Sequence, residues 1–235
     1  HEIELIRHAR HGDPFAVLGP HADADGRVWL RAFLPGATHV QAVEPGSGAT
    51  LAPLLLLHVD GLFEAALPAE PANGYRLQVR WGDGSMSLLD DPYRFGPVLG
   101  EMDVWLMGEG THLRPFEVLG ATQREIGGTA GTAFAVWAPN AARVSVVGDF
   151  NAWDGRRHPM RLRRECGVWE IFLPGVGIGA RYKFELLSRD GQLLPQKVDP
   201  YARQAELRPA TASVVAPLPP LPPASPQRQR ANALD

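Results

Sequence analysis

The residues closest to a recognisable chemistry lie in one segment, Gly148-Asp149-Phe150-Asn151-Ala152-Trp153-Asp154. It closes a predicted strand and sets an aromatic side chain in a turn bounded by Gly and Asp, where burial is not guaranteed. An exposed indole there is a flat platform. Sugar rings stack their apolar C–H faces on such a surface, leaving hydroxyls for nearby Lys, Asn or Asp side chains. The same indole could instead plug the end of a sandwich or pack on a neighbouring domain, and the residues alone leave both readings open.

Other chemistries find less support. Asp149 to Gly155 begins like a calcium loop, but Trp153 stands at position five, where an oxygen ligand is needed, and position twelve is not Glu. His8 and His11 could share a helix face, yet two ligands without a third make a poor metal site. We therefore expect no metal and no cofactor. Gly-rich phosphate loops, His-Glu-x-x-His pairs and Gly-x-Ser-x-Gly elbows do not occur, so no catalytic residues are predicted for this chain. The segment from Arg156 to Arg164 holds five arginines, but Met160 and Leu162 alternate with them and no aromatics interleave. That pattern favours a solvated or domain-facing surface over a polyanion site.

The elements that must position the turn are read from composition and periodicity. In 235 residues, 45% are hydrophobic and 21% charged, enough to build a core. A net charge of -3 disfavours nucleic acid and membrane surfaces as partners. Cys166 is the only cysteine, which excludes an internal disulfide and suggests a reducing compartment. The acidic start, Glu2 and Glu4, does not resemble a secretory signal, and the apolar run Leu54 to Leu57 is far short of the roughly 20 residues of a bilayer span. A soluble, cytoplasmic protein is expected.

With 25 Gly and 22 Pro punctuating short Val-, Leu- and aromatic-rich segments, the texture is all-β. Strands are predicted over Val28 to Leu34, Val40 to Val43, Phe63 to Leu67, Tyr75 to Trp81, Phe134 to Trp137, Val144 to Gly148, Val168 to Leu173 and Arg181 to Leu187. In the last, a period of two buries Tyr182, Phe184 and Leu186 and leaves Arg181, Lys183 and Glu185 wet. One helix is predicted, from Glu2 to His11, stopped by Gly12 and Pro14.

The chain repeats itself. Pro14-Phe15 and Val17-Leu18-Gly19 recur as Pro115-Phe116 and Val118-Leu119-Gly120, Tyr75-Arg76-Leu77 as Tyr182-Lys183-Phe184, and Asp91-Pro92-Tyr93 as Asp199-Pro200-Tyr201, in order, with an offset drifting from 101 to 108 residues. Chance matches would not keep so smooth a drift. Residues 1–106 and 107–215 are therefore expected to be two immunoglobulin-like β-sandwiches of about 100 residues each. From Ala216 the chain turns Pro-rich, and residues 216–235 read as a linker toward a further domain.

These residues carry a resemblance. Gly148-Asp149-Phe150-Asn151-Ala152-Trp153, Tyr182-Lys183-Phe184, Asp190-Gly191 and Asp199-Pro200-Tyr201 resemble the family 48 carbohydrate-binding module of glycoside hydrolase family 13 enzymes. Asp13-Pro14-Phe15-Ala16-Val17-Leu18-Gly19, ahead of a second sandwich, resembles the double N-terminal region of bacterial glycogen branching enzymes. The resemblance implies a non-catalytic part of an enzyme whose retaining chemistry belongs to a downstream (β/α)₈ barrel, with that barrel and α-glucan as partners. It places Trp153 on the sugar platform and Lys183 on the hydrogen-bonding lysine; Asn151, in the same motif, completes the expected carbohydrate-binding set. A second aromatic platform falls on Leu193, and a late asparagine has no counterpart between Ala205 and Val215, so weak binding is expected. The alternative is a scaffold for the barrel without any sugar site. A regulatory glycogen sensor would need the lost aromatic.

Overall fold

The computed structural model describes residues 2–67, 71 and 74–219. Most of the Pro-rich segment expected to be a linker, from residue 220 onward, lies outside the described residues; its first residues, 216–219, form no strand and begin with a buried Ala216.

α1 (Glu2–Arg7) leads into β1 (Gly19–Ala22), β2 (Val28–Phe33), β3 (Ala37–Val43), β4 (Thr50–His58), β5 (Leu62–Leu67), β6 (Arg76–Trp81) and β7 (Met86–Leu89). These strands pair antiparallel in the order β1-β2-β5-β4-β3-β6-β7. Because β4 bonds to both β5 and β3, the two leaves of this sandwich are continuous, and bulges on either side of β4 let the sheet turn back on itself. Leu30, Phe63 and Ala65 of one leaf then meet Val40, Leu77 and Val79 of the other.

α2 (Glu101–Gly108) follows, then β8 (Gly120–Ile126), β9 (Thr129–Trp137), β10 (Ala141–Gly148), β11 (Arg161–Arg163), β12 (Val168–Pro174), β13 (Arg181–Ser188), β14 (Gln204–Ala205) and β15 (Ser213–Val214). Here two separate four-stranded sheets, β11-β12-β9-β8 and β10-β13-β15-β14, enclose Phe134, Val136, Ile171, Val146, Tyr182 and Phe184.

Every predicted strand is present, and the differences have local causes. Seven strands among the described residues were not predicted, β1, β4, β7, β8, β11, β14 and β15; in the longest of them, β4, only Leu54 of the leucines is buried and no alternation is legible. The first helix ends at Arg7 instead of His11. Ala9 enters the left-handed region at φ 47°, and Arg10 N donates to Leu5 O at 2.7 Å, closing the helix before Gly12 is reached. α2 was missed because only Val104 is buried along it, although Glu101 and Asp103 suit a helix start. The boundary expected at residues 106 and 107 falls inside α2. Phe95 and Val98 already pack on Ala133 and Phe172 of the second sandwich, and Leu99 and Val104 on Ala135 and Val168. In β13 the alternation breaks after Phe184, and Leu187 is buried in place of Leu186.

The repeat has a physical basis. Tyr75 donates its hydroxyl to Asp91 at 2.5 Å, and Tyr182 to Asp199 at 2.6 Å. Each aspartate also accepts the backbone N–H of the tyrosine two residues on, at 2.9 and 2.8 Å. In both copies a glycine, Gly19 or Gly120, lies under the carbonyl of that tyrosine with φ near 88–89°, where a Cβ would collide. The recurring letters thus form one clamp built twice.

The two sandwiches share a core in which Ile6, Val17, Leu18 and Tyr93 join Val144, Val146, Met160 and Ile171. The arginine-rich segment straps this seam. Arg157 donates to Pro35 O at 3.0 Å, Arg161 to Phe95 O at 3.3 Å and Arg163 to Leu99 O at 3.3 Å. The Arg161 guanidinium also lies 3.8 Å from the centroid of the Phe15 ring. The reading of these arginines as domain-facing accounts for three of the five.

Candidate carbohydrate-binding site

β10 delivers the chain to Gly148, where a side chain would collide with Arg181 O and the Phe150 ring. Only glycine lets the strand turn this tightly against β13. After a single 3-10 turn over Asp149–Asn151, Ala152 and Trp153 take φ values of 56° and 59°, and Trp153 N donates to Gly148 O at 3.0 Å. Two consecutive non-glycine residues in the left-handed region cost energy, and such strain persists only where the surroundings impose it.

Asn151 imposes it. Its Oδ1 accepts from Gly148 N at 2.9 Å, and its Nδ2 donates to Val146 O and to His158 Nδ1, each at 2.9 Å. With 2% exposure and both ends of its amide engaged, Asn151 has nothing to offer a sugar. The expectation that it binds carbohydrate is corrected: it shapes the turn that presents Trp153.

Trp153 is half-buried. Its indole N–H donates to Asp149 Oδ1 at 3.2 Å, and Asp149 in turn accepts from Arg181 Nε at 2.7 Å and Nη2 at 3.1 Å. The Arg181 hydrogen bonds hold the Asp149 carboxyl below its ordinary range, so it stays an acceptor. Arg181 is braced from its other side by Glu206 Oε1 at 3.2 Å.

Lys183 lies on the same outward face of β13 as Arg181 and Glu185, because Tyr182 and Phe184 face the core. Its ammonium donates to Thr211 Oγ1 at 2.8 Å. The structure therefore brings Trp153 and Lys183 to one face, but the open depression beside the indole is lined by Glu185, Leu187 and Leu193, not by Lys183. Glu185 is committed to Arg143 at 2.9 Å. Leu193, on which the resemblance places a second aromatic platform, is exposed. Asp149, Arg181 and Thr211 were not singled out from sequence. For Arg181 the signal was present in the alternation that paired it with Lys183; the partnerships across turns carried none. The matching stretch of the first copy, Val43 to Ser47, has no aromatic. Among the described residues no group of three or more His, Cys, Asp or Glu is placed to hold a metal, and no helix is long and apolar enough to cross a membrane.

Residues 118–202, which contain the turn, Arg181, Lys183 and Leu193 but not Glu206 or Thr211, match the family Carbohydrate-binding module 48 (Isoamylase N-terminal domain). Residues 1–93 match the family alpha-1,4-glucan branching enzyme GlgB, N-terminal domain. The chain belongs to the N-terminal region of the GlgB branching enzymes. It is 58% identical over 214 residues to the 1,4-alpha-glucan branching enzyme GlgB of Paramagnetospirillum magneticum, covering 91% of this chain and 28% of that relative. Identity to GlgB 2 of Rhizobium etli is 53% over 207 residues, covering 88% and 28%. The chain thus spans about a quarter of the length of the curated relatives it matches. Among solved structures, the pullulanase from Anoxybacillus sp. LM18-11 is 17% identical with a TM-score of 0.36, covering 88% of this chain and 29% of that one.

As a GlgB N-terminal region, the chain pairs two sandwiches of unequal kind. The GlgB-specific first sandwich supplies Tyr93 to the seam, where its hydroxyl donates to Pro159 O at 3.2 Å. That contact lies directly after the turn of the family 48 module, so the two GlgB domains meet beside the candidate site.

Proposed function

We propose that this chain is the non-catalytic N-terminal part of a cytoplasmic branching enzyme that cuts α-1,4-linked glucan and rejoins the segment through an α-1,6 bond. In this reading its second module binds α-glucan weakly through Trp153 and Lys183, and both modules pack on the enzyme's own catalytic barrel. The observation that carries the sugar site is the half-exposed Trp153 indole, steered by Asp149 and Arg181 within a strained turn. A stacked ring adds about 0.5–1.5 kcal/mol beyond area burial and a charged hydrogen bond about 1.5–3, which together fit a dissociation constant near 1 mM. The rival reading, a scaffold without a sugar site, draws support from the shared core and the arginine strap.

One variant with two readouts separates them. Trp153→Ala should keep its denaturant midpoint near that of the parent and lose the chemical-shift changes that maltoheptaose induces around residues 148–154 and Lys183. Early unfolding of the variant, with no shifts in the parent at high millimolar sugar, would leave the scaffold reading standing.

A further inference from the structure

β9 ends at Trp137, and strand alternation decides which way this ring faces. Phe134 and Val136 belong to the core, so Ala133, Ala135 and Trp137 lie on the outer face of their sheet. Phe95, Val98, Leu99 and Val104 cover Ala133 and Ala135. Trp137, at the end of the row, is left 60% exposed.

This indole is nonetheless held in place. Its Nε1 donates to Cys166 O at 3.1 Å, and Trp137 pairs in register with Val168. Gly167, at φ 73°, fits against the ring edge; a Cβ there would stand 2.7 Å from Pro139 Cβ and 3.4 Å from Trp137 Nε1. A ring fixed before a ligand arrives loses little entropy when one stacks on it. Beside it is an open depression walled by Met107, Pro139 and Leu162, with Arg164 and Glu165 exposed at its rim.

A fixed aromatic face flanked by one guanidinium and one carboxylate in water matches the two sides of a sugar: C–H groups for the ring, hydroxyls for the donor and the acceptor. We propose that Trp137, with Arg164 and Glu165, forms a second α-glucan site, on the sheet opposite the one that bears Lys183. The identity of the ligand rests on the proposed glucan binding of this module. Two weak sites on opposite faces would let one module hold two chains of a branched glucan, raising avidity without a new contact at either site.

The test titrates maltoheptaose into this chain and its Trp153→Ala and Trp137→Ala variants, following backbone amides by NMR with a denaturant melt of each. In Trp153→Ala the amides of Arg164, Glu165 and Gly167 should still shift and saturate. In Trp137→Ala that response should weaken about tenfold or more while residues 148–154 respond as before. If the Ala variant melts early, Trp137→Leu, which keeps an apolar side chain but no aromatic face, replaces it with the same expectation. Shifts confined to the surroundings of Trp153 overturn the second site alone. Shifts at residues 164–167 that vanish in Trp153→Ala also overturn it, since they report an indirect effect. An absence of shifts anywhere overturns both readings.

Discussion

The Asn151 amide donates to His158 Nδ1 at 2.9 Å, directly beneath the turn that carries Trp153. The amide's orientation is set by Gly148 N, which needs the Asn151 oxygen, so His158 must accept on Nδ1 and keep its proton on Nε2. A second proton on this ring would oppose the donor facing it.

A pH dependence follows from this pair. Burial, helped by the positive charge of Arg157 and opposed by Asp154, pushes His158 from its ordinary value down to about 3. A base held neutral in the fold contributes stability that is present above pH 6.5 and lost as pH falls toward 3, at up to about 1.4 kcal/mol per unit. Asp91 works the other way: burial raises it to about 6, so its contribution is full below its ordinary value and is lost as pH rises through 6. Urea midpoints at pH 7 and pH 4.5 should therefore fall more steeply with acid in the parent than in His158→Gln, which keeps the acceptor and cannot charge. Equal slopes would show that His158 does not titrate differently on unfolding.

The two tyrosine clamps predict matched losses. Tyr182→Phe leaves the buried Asp199 without its hydroxyl donor, and Tyr75→Phe does the same to Asp91. Each should lower stability by about 1–3 kcal/mol, the cost of a buried acceptor deprived of a partner. Denaturant midpoints check both, and a neutral effect in either copy would mean the clamp is not the reason its letters recur.

The seam should make the modules unfold as one. Arg161→Ala removes the stack on Phe15 and the bond to Phe95 O, which together amount to about 1–3 kcal/mol. Calorimetry of the parent should show one transition, and the variant a lower or divided one. Two well-separated transitions in the parent would refute cooperative docking.

The platform at Trp153 should depend on its brace. Arg181→Ala frees Asp149 and with it the indole N–H, so maltoheptaose affinity should drop by roughly threefold to tenfold, about 0.6–1.4 kcal/mol, with little change in melting. An unchanged titration would show that the turn alone orients the ring.

Activity is the last prediction. In the proposed reading the retaining chemistry belongs to a separate catalytic barrel, so this chain, incubated with amylose, should leave iodine staining unchanged. A loss of colour over the control would contradict the non-catalytic reading.

What the sequence by itself determined were features that need only local spacing. Alternation placed Tyr182 and Phe184 inward and Arg181 and Lys183 outward. The order of recurring landmarks marked two copies of one fold, and Gly148 with Trp153 marked a special turn. Tertiary structure decided everything that depends on which surfaces meet. Asn151 belongs to the same motif as Trp153, yet only the folded turn, with Val146 O and His158 Nδ1 around its amide, turns it from ligand to framework. Arg157 and Arg161 look alike in the chain, and a seam formed with residues 66 to 146 positions away makes both of them straps. α2 escaped notice because its few buried contacts lie on a sheet face that does not exist until β9 and β12 pair. Trp137 reads as one more strand aromatic, and only the end of the cover over that face leaves it open. Periodicity records which side of an element is apolar; it does not record where the neighbouring element stops.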